Sequence, residues 1–469
     1  MITKIIYASQ AGASLDSNVA TGGGTDDTAA LQKALDLAKA CGGVHLVMDG
    51  AALITELRVH SNTTIECLNT QCGFYQASHS DCALLINAHP SAGELIDRNI
   101  TLLGGTYNQN CLNQAHHVPA AVHYSKAERL VVALAFFGVE NLLVRDVTVR
   151  DQRTFAFLIT NWLKVTMENI RLELPGFIHS GNQDGIHVQG PGRFLVLRNI
   201  QGRTGDDFIA INGDEETNGE KSWAHPCATV GAITDVLIDT VMVDDAAQVV
   251  RILSRESRHD RITIRNVSGN YRSFGFYLSA WDYKGKGLQG NFGSILIENI
   301  DLRQTKADYT YTEPFLFRIS GRHQSLTLRN INYHDPADDR YLIYLEGNSD
   351  IPEMGDTPAQ VESLVIDGLH IQDSGDAAQI RPYIKASGHV RRMVVKNSEL
   401  YCARNNRAVF IATEGTLATI DHLLMYNICA ENIEHLIFDP GKNIMRIETS
   451  NVVMMPRTLP MAPDISPSR

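Results

Sequence analysis

Val196-Leu197-Arg198-Asn199-Ile200, Val236-Leu237-Ile238-Asp239-Thr240-Val241 and Ile262-Thr263-Ile264-Arg265-Asn266-Val267 repeat one theme: a short apolar strand, then Asn or Asp, then an aliphatic residue that opens a second strand. The same unit stands upstream at 142–147 and 165–170, and downstream at 295–300, 326–331, 364–369, 393–397 and 423–428. Self-similarity every few tens of residues, with strict alternation inside each unit, is the mark of a β-solenoid whose coils stack on one another. The expected fold is all-β: a right-handed parallel β-helix of about ten or more coils, right-handed because parallel crossovers are so. The recurring Asn fits a stacked turn, since Asn tolerates the left-handed backbone region and its amide bonds along a stack. Coil spacing varies between about 23 and 47 residues, which assigns the excess to loops on the turns.

A chain of 469 residues has a prior of about three globular domains, but a repeat grows along one axis and escapes the limit on a single core. Without a Pro- or Ser-rich linker, residues 1–469 read as one β-helix domain. Residues 456–469, with four Pro residues and little apolar periodicity, read as a loosely packed tail. At the other end, Thr25-Asp26-Asp27 offers N-cap candidates for a helix over 25–40 that puts Leu31, Ala34, Leu35 and Ala38 on one face. Gly42-Gly43 then closes it before the strand Val44-His45-Leu46-Val47-Met48. Such a helix would cover the open end of a solenoid, which otherwise exposes strand edges and apolar core.

The formal net charge of -12 gives no basic field for nucleic acid, and no Lys/Arg cluster overrides it locally. No apolar run is long enough for a secretory leader or a bilayer span, so no membrane partner is expected and the chain reads as cytoplasmic, or secreted if a leader was removed. The eight Cys residues form no Cys-x-x-Cys and read as reduced, buried thiols.

Chemistry concentrates in Asn182-Gln183-Asp184-Gly185 and Gly205-Asp206-Asp207, about one coil apart. Cleaving a glycosidic bond needs an acid to protonate the leaving oxygen and carboxylate to activate water on the opposite face of the sugar. Crowded carboxylates also repel, which keeps one of them protonated near neutral pH. A lone Asp-Gly is more often turn chemistry, but two adjacent Asp residues before a buried strand and a third one coil earlier make a costly structural device.

Alternation sends Ile186, Val188, Ile209, Ile211, Val250 and Ile252 inward; it sends His187, Gln189 and Asn212 outward, His187 and Asn212 as candidate substrate contacts, and projects Arg251 beside the carboxylates. Arg251 is the candidate anchor for substrate, or else a salt bridge that neutralises the cluster. Tyr277 and Trp281, followed by Tyr283 and by Gly285 and Gly287 in a loop, are candidates for stacking on a pyranose face, or are packing residues. His116-His117 and His123 lack a carboxylate or Cys partner, so no metal is assigned to them.

These motifs resemble the family-28 glycoside hydrolases, the polygalacturonase-like, pectin-lyase-like right-handed parallel β-helices. That family carries Asn-Thr-Asp-Gly, Gly/Gln-Asp-Asp, Gly-His-Gly and Arg-Ile-Lys; the diagnostic match runs from about Asn182 to Leu253. The resemblance implies Asp206 as general acid and Asp184 with Asp207 as the pair that holds and deprotonates water. Two departures stand out. No Gly-His-Gly occurs, and His225 in Trp223-Ala224-His225-Pro226 is the nearest candidate by position. Arg251-Ile252-Leu253 keeps the Arg but puts an apolar residue in place of the Lys, which argues against plain polygalacturonate.

The expected function is therefore an inverting glycoside hydrolase acting on a poly- or oligosaccharide, with no cofactor and with a homo-oligomer left open. A polysaccharide lyase on the same scaffold and a non-catalytic glycan-binding solenoid are the alternatives.

Overall fold

The computed structural model describes residues 3–115, 131–177, 182–214, 227–280, 287, 289–305, 315–334, 341–347, 357–374, 381–403 and 408–455. Strand pairing continues from Lys4–Tyr7 to Ile447–Met455, and the described strands pair in parallel. Each strand bonds to the strand one coil away in space: Ile233–Asp245 lies between Ile186–Arg203 and His259–Tyr271. The molecule is a right-handed parallel β-helix.

The repeated sequence unit is what sets the register. Leu142, Val165, Leu195, Val236, Ile262 and Ile295 fall opposite one another in a single row, and the row continues through Leu326, Leu364, Met393 and Leu423. These side chains are buried, because alternate residues of a strand share one face and here that face lines the solenoid interior. At the turn that follows, Asn169, Asn199, Asn266, Asn299 and Asn330 all take a left-handed backbone with φ of 51 to 59°. Their amides bond from coil to coil, Asn199 Nδ2 to Asn169 Oδ1 at 2.8 Å and Asn330 Nδ2 to Asn299 Oδ1 at 2.9 Å. Where the unit lacks Asn, Thr240 and Gly368 take the same backbone region, with φ of 62° and 78°.

The helix at the N-terminal end spans Thr28–Cys41 and buries Leu31, Ala34, Leu35 and Ala38, the face read from the sequence. It begins three residues later than expected. Thr25 is tied back to Asp16, Asp27 turns its carboxylate to the Ser14 and Leu15 amides, and Asp26 Oδ1 accepts the Thr28 amide at 2.9 Å. Asp26 and Asp27 are thus spent on the preceding loop and the first turn, and Gly42, with φ of 81°, ends the helix. The tail 456–469 lies outside the described residues. None of the eight cysteines forms a disulfide. Among the described residues no helix is long and apolar enough to cross a membrane.

Candidate active site

Asp184 stands two residues before Ile186, where the strand Ile186–Arg203 begins, and Asp207 opens the strand Asp207–Asn212. Ile186 pairs with Ile209, so Asp184 and Asp207 stand level on neighbouring coils, and the Gly185 amide donates to the Asp207 carbonyl at 2.8 Å. Gly185 is glycine because the coils nearly touch there. A Cβ would lie 2.4 Å from the Phe208 carbonyl oxygen and 2.6 Å from Leu172. The Asp-Gly pair is therefore a close approach of two coils, a cause that turn chemistry did not suggest.

Gln183 braces the same junction. Its carbonyl accepts the Gly205 amide at 2.9 Å and the Asp206 amide at 3.2 Å, while its side-chain amide donates to the carbonyls of Gln152 at 3.0 Å and Gly176 at 3.3 Å. From the other side Arg272, itself buried, donates to the Gly205 carbonyl at 2.6 Å and pairs with Asp245. Neither brace was read from the sequence. Arg272 stands 67 residues from Gly205, and nothing local marks the contact.

His187 fixes Asp184. Imidazole Nδ1 meets Asp184 Oδ2 at 2.7 Å, Asn212 Nδ2 approaches Nε2 at 3.4 Å, and the ring stacks on Phe155 with centroids 4.3 Å apart. With Asn212 donating to Nε2, the ring proton sits on Nδ1 and points at the carboxylate. His187 and Asn212 are 1% and 0% exposed, which places them behind the carboxylate as its supports; Gln189 on the same strand is buried as well.

Asp207 is buried, with Arg251 Nη1 3.6 Å from its Oδ2. Burial pushes its carboxyl well above the usual range, and the like charges of Asp184 and Asp206 add to the push against the pull of Arg251 and His187. Asp206 is half-buried, the least buried of the three. The arrangement disfavours ionisation at Asp207 and leaves Asp206 the least buried of the three carboxyls.

The neighbouring coils extend the site. Arg251 pairs across to Tyr277, whose ring centroid is 5.9 Å from the guanidinium carbon, and Tyr277 is 5% exposed. Leu253 is buried between Asn212 and Ser279, so no cation stands at that position. His225, Trp281, Tyr283, Gly285 and the 116–123 histidines lie outside the described residues. One feature went unread in the sequence: Arg318, on the coil after Tyr277, donates from Nε and Nη2 to Glu346 Oε2 at 3.0 and 2.8 Å, and Tyr344 Oη donates to Glu346 Oε1 at 3.0 Å.

No family model matches the chain. A polygalacturonase of Persea americana is 29% identical over 211 residues, 42% of this chain and 43% of that protein, so the match spans less than half of the relative's length. Among solved structures, the tailspike protein of E. coli bacteriophage HK620, in complex with a pentasaccharide, superposes with a TM-score of 0.56 at 11% identity over 92% of this chain and 77% of its own. PfbA, a surface adhesin of Streptococcus pneumoniae, superposes with a TM-score of 0.53 at 15% identity over 92% of this chain and 91% of its own. Both likenesses are of fold. In sequence the chain is thus similar to a plant polygalacturonase over a stretch of 211 residues, 42% of its length, and in fold to the tailspike and the adhesin.

Proposed function

We propose that the protein hydrolyses a glycosidic bond with inversion, Asp206 acting as acid and Asp184 with Asp207 as the water-activating pair. The observation that supports this reading is the asymmetry of the cluster: Asp184 and Asp207 are both buried, while Asp206 beside them is only half-buried. Asp206 gives its proton to the glycosidic oxygen as the bond to the anomeric carbon breaks. Water, held between Asp184 and Asp207, attacks that carbon from the opposite face and passes its proton to Asp184, the member of the pair that the His187 ring holds, while Asp207 keeps its own proton and positions the water. Inversion asks for acid and base carboxyls about 6.5 to 9.5 Å apart.

The substrate we propose is a neutral or only partly acidic glycan. Leu253 leaves Arg251 to hold a single carboxylate or a pair of sugar hydroxyls, and the net charge of -12 does not draw a polyanion from a distance. The test is reducing-end release from a panel of defined oligosaccharides, with polygalacturonate and Leu253→Lys in parallel. A preference of the parent protein for homopolygalacturonate would overturn the substrate reading. An ultraviolet-absorbing product would instead reveal a lyase, and no product at all a binding solenoid.

A further inference from the structure

We infer that the glycan groove is one-sided, closed on the N-terminal flank of the carboxylates and open on the C-terminal flank, so that the enzyme cuts near a chain end. The inference rests on the hydrolase reading above and adds the mode of attack.

One outward-facing row of the sheet carries the argument, because neighbouring coils stand about 4.8 Å apart and matching positions line up along the axis. On the N-terminal side of His187 the row is Leu158, Ala135 and Ile86, which are 0%, 0% and 4% exposed. They face away from the solenoid core yet are sealed, with Val132, Phe155 and Ala228 packed on them in a separate apolar cluster. Ala228 belongs to the chain that returns after the Asp207–Asn212 strand, and Thr160 Oγ1 donates to the adjacent Cys227 carbonyl at 3.4 Å. Among the described residues, this row offers a sugar neither room nor a side-chain donor, and Thr160 beside it is engaged by Cys227.

Beyond Ala210 the same row becomes Arg251, Tyr277, Arg318, Tyr344 and Lys385. Cation and ring alternate, and the cations grow more exposed with distance, their side chains 9%, 14% and 21% accessible. Arg318 lies 5.1 Å from the Tyr277 ring and is held by Glu346, while Lys385 lies 5.5 Å over the Tyr344 ring and 3.1 Å from Glu414. Side chains fixed in this way lose little freedom when a ligand arrives, and rings beside charge-compensated donors suit sugar faces and hydroxyls better than a run of carboxylates. From Arg251 to Lys385 the track covers four coil steps, about 19 Å.

The test follows product sizes from the first minutes with a long, end-labelled oligosaccharide. The expected result is one small product of fixed size from one labelled end; internal fragments from the start would overturn the inference. Lys385→Ala and Tyr344→Ala should raise KM about tenfold for long chains and progressively less for shorter ones, with kcat kept, and an equal effect at every length would count against the track. Binding decides the matter independently of turnover. The Asp206→Asn protein is titrated with oligosaccharides carrying a bulky tag at one end or the other, and a one-sided groove accepts only one of the two. Equal affinity for both tagged forms sinks the one-sided groove, whereas absence of any hydrolysis by the parent protein sinks the hydrolase reading alone.

Discussion

Asp207 sits where an isolated carboxylate resists ionising, and that has a cost that pH reveals. Its raised pKa means that the folded chain keeps this proton to higher pH than the unfolded chain does. Its contribution to stability is therefore complete below the ordinary carboxylate value and is lost as pH rises through the raised one. Asp207→Asn should melt about 2 °C or more above the parent at pH 7, with the difference vanishing toward pH 4 and hydrolysis gone. Calorimetric melts across that range check it, and a variant that melts lower at pH 7 would contradict the like-charge account. Asp206→Asn should cut kcat by at least about a hundredfold while titration still shows glycan binding, as expected when general-acid assistance alone is removed. Near-parent turnover would take Asp206 out of the mechanism.

Among the elements, the Asn turns make the clearest case. Asn299 holds φ at 59° and takes part in two ladder bonds, donating to Asn266 and accepting from Asn330, each at 2.9 Å. Asn299→Ala should destabilise by about 2 kcal/mol, from the left-handed backbone and the lost amide bonds. Asn299→Gly should recover roughly half of that, because glycine takes the backbone without strain. Denaturant titration of the two variants separates the terms, and equal losses would show that the backbone contributes nothing. These turns and the rows between them were legible in the sequence because alternation and the left-handed preference of Asn are local properties. The face of the capping helix was legible for the same reason. Its first residue was not, since Asp26 and Asp27 serve contacts with Asp16-side loop residues and the first turn together. Gln183, Arg272 and Glu346 escaped notice because their partners lie on other coils, and a single sequence does not say which loop residue meets which. Gly185 was noticed for the wrong cause, its need coming from Phe208 across the coil gap.

For the whole molecule, two buried histidines oppose the trend set by Asp207. His259 and His323 are both pushed down to about 4 by burial, so between about 4 and 6.5 the unfolded chain binds more protons than the folded one. Their stabilisation is present above 6.5 and is lost as pH falls through that window. The parent's slope mixes both signs, so variants must be compared: the melting advantage of the parent over His323→Gln should widen as pH rises from 4 to 6.5. A constant gap would mean that the His323 ring titrates alike in the folded and the unfolded chain. The N-terminal end supplies a further test, since Leu31→Glu with Leu35→Glu puts charge on the buried face of the capping helix. That variant should expose the first coil and self-associate, read by light scattering, and a monodisperse, fully folded product would remove the capping role. The unbroken parallel register also governs which changes the chain can inherit. One residue added inside a rung turns every side chain beyond it on that strand to the opposite face, whereas residues added at a turn leave Asp184, Asp206 and Asp207 where they are. Tolerance to length change is thus distributed around the circumference of each coil, and lineages can remodel the rim of the groove while the acid cluster descends unaltered.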